Sequence, residues 1–161
     1  MTTDQEGVAA WEAVLRVHAA LVPVLDRELQ SATGLPLAWY DVLLELNSSP
    51  ERRLRMTDLG DRVVLSRTRV SSIVDELVAN DLVSRDDNPA DRRSAFAVIT
   101  EAGRRRLRAA APVYLAAIAR HFTAQLTKAE AVAVGAALEK VLRAERADIQ
   151  HARVARIRPE R

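Results

Sequence analysis

The sequence predicts a mainly α-helical protein with one short β-hairpin, an α+β arrangement of six helices. Three observations predict it. Apolar residues recur at helical spacing over most of the 161-residue chain. Two short helical patterns, within residues 57–79, stand a tight turn apart. Directly after them, two β-prone runs, residues 82–85 and 95–99, flank a polar loop containing Asn88-Pro89. Helix, turn, helix and hairpin in that order give a winged helix-turn-helix with a two-stranded wing, and the remaining helices come from both ends of the chain.

Each element has its own signals. From residue 8 to about 30, Trp11, Val14, Leu15, Val22, Leu25 and Leu29 trace one stripe of a helix, and His18 falls on it. Pro23 removes the hydrogen bond to the Ala19 carbonyl, so a kink is expected there. Gly34 ends this segment and Pro36 opens the next, in which Trp39, Val42, Leu43 and Leu46 repeat. Thr57 is placed to cap a short third helix, with Asp58 in its first turn and Leu59 and Val63 facing inward. Ser66 is a natural cap for a fourth, whose core face is Val70, Ile73, Val74 and Leu77. Gly60 sits where these two helices would cross closely. Thr100 starts a long fifth helix with Leu107, Ala111, Tyr114, Leu115, Ile118 and Phe122 on its apolar face, bent at Pro112. Thr127 and Glu130 form a capping box for a sixth, carrying Ala131, Val134, Leu138, Val141 and Leu142. The basic stretch from His151 onward is expected to be partly ordered at best.

Composition narrows the function classes. The chain has no cysteine, which excludes disulfides, thiolate metal sites and thiol redox switches. No unbroken run of about 18 apolar residues is seen, so no membrane span is expected. Asp4 and Glu6 stand where a signal peptide would be basic. A cytoplasmic protein is the expectation. The net charge of +2 hides an asymmetry: residues 1–50 hold 2 Arg against 7 acidic residues, and residues 51–108 hold 13 Arg against 10. His18, His121 and His151 are far apart and make no metal-ligand spacing, and no phosphate loop or nucleophile motif is present. Neither an enzyme nor a cofactor-dependent protein is expected.

The chemistry concentrates around the fourth helix. Ser66, Arg67, Thr68, Arg69, Ser71 and Ser72 lie off its core face, near its N-terminus. Arginine can make two hydrogen bonds to a guanine edge, and serine and threonine can reach bases or phosphates. An isolated helix of this kind could equally be a solvated arginine-rich face; the helix-turn-helix and hairpin context favours duplex DNA. At the hairpin tip stand Asp91, Arg92 and Arg93. Two adjacent arginines can enter a narrow minor groove, and Asp91 can hold one guanidinium in place. The bland alternative is a solvated turn.

Asp91-x-Arg93, the run Val98-Ile99-Thr100-Glu101-Ala102-Gly103 and the preceding Leu82-Val83-x-Arg85 resemble the wing motif of the MarR family of bacterial transcription regulators. The resemblance spans nearly the whole chain. It implies a homodimer built from the outer helices of both termini, Arg93 as a minor-groove arginine supported by Asp91, and loss of DNA affinity on binding small aromatic or phenolic compounds. Two positions depart from the family's habit. Val64 replaces a glycine often found in the turn before the recognition helix, and a β-branched residue is ill suited to positive φ. Asn80-Asp81 replaces a glycine after that helix, and Asn tolerates the left-handed conformation.

Trp11, Trp39 and Tyr40 are three of six aromatic residues, and all lie on the first two helices. Their first reading is core. With His18 and Arg16 they are also the best candidates for the wall of an effector cavity, with His18 either core or pocket. The expected organisation is a single domain over 1–161. Residues 8–48 and 100–145 form the dimerisation region, 52–99 the DNA-binding lobe and 146–161 a basic tail. The expected partners are an imperfect palindrome of duplex DNA, a second copy of the chain and a small aromatic effector. The rival reading is a winged-helix protein-interaction module without sequence-specific DNA binding, which salt dependence of DNA binding would separate.

Overall fold

The computed structural model describes residues 3–63, 67–88 and 94–157, with side chains over 5–63, 68–88 and 94–145. Its elements run α1 (Thr3–Thr33), α2 (Leu37–Ser48), β1 (Arg53–Arg55), α3 (Met56–Arg62), α4 (Arg67–Ala79), β2 (Val83–Asp87), β3 (Ala95–Ile99), α5 (Glu101–His121) and α6 (Lys128–Ile157). The mainly α winged-helix fold is as the sequence predicts. The chain divides into two compact units, Met1–Ile118 and Ala119–Arg161, each described by itself below.

In the first unit the core gathers Leu25 and Leu29 of α1, Val42, Leu43 and Leu46 of α2, Leu59 of α3, and Val70, Ile73, Val74 and Leu77 of α4, all buried. Those α4 residues are the four that the spacing assigns inward. Burying each such side chain is worth roughly 1.5–3 kcal/mol, so the apolar stripe outweighs the modest propensity of a helix containing three β-branched residues on that face. Leu107 of α5 joins the same core, and Ala111, Tyr114 and Ile118 pack against it.

The sheet has three antiparallel strands in the order β1-β3-β2. The hairpin β2-β3 is the expected wing; β1 adds a strand that the sequence pattern does not announce. Its register pairs Arg53 with Val98, Leu54 with Ala97 and Arg55 with Phe96. Directly opposed residues share a face, so Leu54, Ala97, Val83 and Ile99 are buried towards the core. On the other face the guanidiniums of Arg53 and Arg55 lie 4.8 and 6.0 Å from the Phe96 ring centroid. The turn into β1 places Glu51 at φ 55 and Arg52 at φ 57, with Arg53 N–H donating to the Pro50 carbonyl. Two successive left-handed residues make this a mirror-image turn without its usual glycine or asparagine.

Several local expectations are corrected. Helix α1 begins at Thr3 and ends at Thr33, longer at both ends than the expected 8 to about 30; Pro23 lies inside it and Pro112 inside α5. Helix α3 starts at Met56 with Arg55 at the cap position and no side-chain cap bond, so Thr57 lies inside the first turn. Leu115 is 61% exposed, because α5 turns that side away from the core of its unit. Helix α6 continues to Ile157 and takes in much of the basic tail. The span Gln5–Thr33 is long and apolar enough to cross a bilayer by length and composition alone, although no unbroken apolar run marks it in the sequence. A scattered charge such as Glu12 or Arg16 breaks a run without making the helix polar.

The capping box of α6 holds as expected, and Thr100 caps α5. Thr127 Oγ1 accepts from Glu130 N–H at 3.3 Å, and the Glu130 carboxylate accepts from Thr127 N–H at 2.8 Å. The Thr127 N–H first, and then the Thr127 hydroxyl, which donates to the same carboxylate oxygen at 2.7 Å, hold the Glu130 carboxyl below its ordinary value. Thr100 Oγ1 accepts from Gly103 N–H at 3.0 Å at the start of α5.

Candidate nucleic-acid interface

Helix α4 presents two distinct sides. Opposite its buried residues, Thr68, Arg69, Ser71 and Ser72 are all exposed, near the N-terminal end of the helix. Ser66, Asp91, Arg92 and Arg93 lie outside the described residues, as do Val64 and the side chain of Arg67.

Helix α4 ends in a Schellman motif: Leu82 N–H donates to the Leu77 carbonyl at 2.9 Å and Asp81 N–H to that of Val78 at 3.0 Å. Asp81, with φ 58, takes the left-handed position, one residue beyond the Asn80 that the sequence suggests for it. Asn80 instead donates its side-chain amide to the Glu76 carbonyl at 2.8 Å.

The wing is fixed at its base. Thr100 N–H donates to the Leu82 carbonyl at 3.1 Å, and Thr100 Oγ1 donates to the Asp81 carbonyl at 2.7 Å. A Cβ added at Gly103 would stand 2.1 Å from the Leu82 carbonyl oxygen, so only glycine allows this approach. Arg85 on β2 meets Asp75 on α4 at 2.7 Å. Asn88 is buried and donates to Ser94 Oγ at 2.7 Å, which joins the two ends of the wing loop. Sequence reasoning misses Asn88; its signal is an asparagine directly before proline at a turn. It also misses the bond from Trp39 Nε1 to Glu76 Oε2, 2.9 Å, between α2 and α4.

The five effector candidates do not converge in the described unit. Trp11 is 61% exposed, and His18 is exposed, which removes the core reading of both within the protomer. Every residue from Gln5 to Ala20 except Val14 is exposed, because α1 meets the core only further along. Arg16 is exposed and paired with Glu12 one turn away. Trp39 is half-buried. Tyr40 is buried, with its ring centroid 4.8 Å from that of Tyr114. Beside them burial, then Glu45, pushes the Asp41 carboxyl up to about 6. Burial first, then Asp41, raises both tyrosines above their ordinary value.

Two packed helices, the second with a polar outer face, followed by the β2-β3 hairpin and completed by β1 in one sheet, define a winged-helix DNA-binding protein. Residues 33–94 match the sequence profile of the MarR family. The chain is similar to Sco3205 of Streptomyces coelicolor, a MarR family transcriptional regulator solved in complex with DNA. The two are 34% identical over 88% of each chain, with a TM-score of 0.76. It is also similar to AbsC, a MarR family regulator of the same organism: 31% identity, 91% of this chain, 97% of AbsC and a TM-score of 0.76. An uncharacterized helix-turn-helix regulator of Bacillus subtilis, YkoM, is 30% identical over 69 residues, which span 43% of this chain and 45% of YkoM. The chain belongs to the MarR family of transcriptional regulators.

Proposed function

We propose that the protein is a homodimeric, sequence-specific DNA-binding repressor of the cytoplasm, released from its operator by a small aromatic or phenolic ligand. The observation that carries the DNA reading is the outer face of α4, where Thr68, Arg69, Ser71 and Ser72 are exposed together opposite a fully buried stripe. Ser66, Arg67, Arg92 and Arg93 complete the proposed contact set, with Asp91 supporting the wing arginines.

Dimerisation is supported by apolar surface left uncovered within each unit. Val8, Trp11 and Leu15 of α1 are 62%, 61% and 49% exposed, and on α6 Val132 and Val141 are 64% and 59% exposed. A two-fold partner covering these helices would form the dimerisation region of residues 8–48 and 100–145. It would also set two α4 helices about one DNA turn apart, matching half-sites about 10 base pairs from centre to centre.

The ligand reading rests on Tyr40 and Tyr114, with Trp11, His18, Arg16 and Trp39 as the wider candidate set. Arg16 is engaged with Glu12, and Asp41 adjoins the tyrosines. A neutral phenol therefore suits the tyrosine pair better than an anion, whose charge Asp41 would oppose. Titrating phenol and benzoate analogues against an operator complex tests this; absence of displacement by any of them removes the ligand switch.

Selection of duplexes from a random-sequence library tests the function as a whole. An imperfect palindrome should be enriched. Arg69→Ala should relax base preference at a cost of about 1–3 kcal/mol if it reads a guanine. Arg93→Ala should weaken binding to all duplexes and flatten the plot of log affinity against log salt by about one unit. Binding that is weak, salt-insensitive and indifferent to sequence would instead support an interaction module.

A further inference from the structure

Helix α4 is held against α2 by two kinds of interaction. One is the apolar packing of the shared core, which is non-directional and tolerates small rotations of one helix against the other. The other is the bond from Trp39 Nε1 to Glu76 Oε2, 2.9 Å long and joining residues 37 apart in sequence. Its geometry is restrictive, because a hydrogen bond weakens steeply with distance and misalignment. Both side chains are half-buried, and the acceptor is a carboxylate, so the bond is of the stronger, charge-assisted kind. The other carboxylate oxygen, Oε1, faces Ser72 Oγ at 3.5 Å, one turn towards the N-terminal end of α4.

Arg69, Ser72 and Glu76 are spaced so that they share one stripe of the helix. A rotation of α4 about its axis that swung Arg69 and Ser72 off a base edge would carry Glu76 away from the Trp39 indole. The bond thus opposes a rotation that would displace Arg69 and Ser72 together.

We propose that Trp39 is a positioning residue for sequence-specific DNA binding, its indole N–H locking the rotation of α4 through Glu76. The proposal rests on the reading of α4 as the recognition helix. A base-edge contact tolerates little misplacement, whereas phosphate contacts made by long side chains tolerate more. Loss of the lock should therefore lower affinity for a preferred sequence while leaving affinity for an arbitrary one.

The test measures binding of the full chain to two duplexes of equal length, one selected by the parent protein from a random library and one unselected. Trp39→Phe keeps an aromatic ring and removes the N–H. It should lose about tenfold on the selected duplex, the equivalent of about 1.4 kcal/mol, and little on the unselected one. Glu76→Ala should show the same selective loss. Glu76→Gln, whose amide oxygen still accepts, should stay close to the parent. The double variant Trp39→Phe/Glu76→Ala should lose no more than either single one, because both remove the same bond. The proposal is overturned if Trp39→Phe and Glu76→Ala bind the selected duplex like the parent. Equal losses on both duplexes, additive losses in the double variant, or a Glu76→Gln as weak as Glu76→Ala overturn it too. A parent that selects no sequence at all overturns the recognition-helix reading, and the lock with it. That outcome is distinct from a selective parent whose variants are unaffected.

Discussion

At the scale of single residues, Gly103 and Asp41 carry the sharpest consequences. Gly103 lets the first turn of α5 lie against the Leu82 carbonyl, where an added Cβ would stand 2.1 Å from that oxygen. Gly103→Ala should destabilise the protein by about 1–3 kcal/mol or more, because backbone rather than a flexible side chain must move. Urea unfolding gives the number, and a variant as stable as the parent would refute the close approach. Asp41 is a half-buried acid whose folded-state value, about 6, exceeds the ordinary 3.8. The folded chain thus keeps a proton that the unfolded chain releases between those values. This contribution to stability is full below 3.8, falls as pH rises to about 6 and is level above. Asp41→Asn should remove that fall. The stability difference between variant and parent should then grow from about pH 4 to about pH 7 in the variant's favour, by at most about 1.4 kcal/mol for each pH step of one. A constant difference across that range would contradict the assignment. Residues like these were only partly legible. Gly103 stood out as part of a motif, but its clash partner is set by the fold. Nothing in the sequence pattern sets Asp41 apart, because its burial depends on how α2 packs.

At the scale of elements, what is local was readable and what is distant was not. The Thr127–Glu130 box spans four residues and formed as expected. Thr127→Ala should loosen the start of α6, at a cost of roughly 1 kcal/mol for a lost cap. Amide exchange at residues 128–131 should rise, and faster exchange spread evenly along α6 would speak against a cap effect. Because the Glu130 carboxyl lies below its ordinary 4.5, the reciprocal bond should be intact above 4.5 and fail only as pH falls through the lowered folded-state value. Strand β1 is the opposite case. Arg53-Leu54-Arg55 is too short and too charged to signal a strand by itself, and it exists because β3 arrives to pair with it. Asp81 lies between: a left-handed residue was expected after α4, but which of two adjacent polar residues would adopt it depended on where the Schellman bonds closed. Trp39 read as core, and only the packing of α2 on α4 gives its N–H a partner.

At the scale of the whole molecule, the family and the mainly α winged fold were legible, because helical periodicity and a compact wing motif both act over short stretches. The surroundings of the proposed effector residues were not. Trp11 and His18 fall on the stripe that contains Leu25 and Leu29, yet α1 outruns the core and leaves its first half in solvent. Periodicity shows which face is apolar and is silent on what covers it. A protomer with this much uncovered apolar side chain should associate. Sedimentation at micromolar concentration should give a dimer of the 17.8 kDa chain, and a pure monomer would defeat the dimer proposal. A Leu138→Glu/Val141→Glu variant, with two charges on the α6 stripe, should shift the equilibrium towards monomer.

The late arrival of β3 also constrains how the protein is made. Residues 53–55 find their partners only at residues 96–98, after α3, α4 and β2 have been synthesised. During synthesis the helix-turn-helix therefore emerges with Leu54 and Val83 still lacking the strand that pairs with them. Ribosomes add roughly 5–20 residues per second, so this exposed interval lasts seconds, ample time for helices to form and for a chaperone or a neighbouring nascent chain to engage. A nascent chain stalled before Ala95 should remain open to protease, and one extended past the first turns of α5 should become resistant as the last strand closes the lobe.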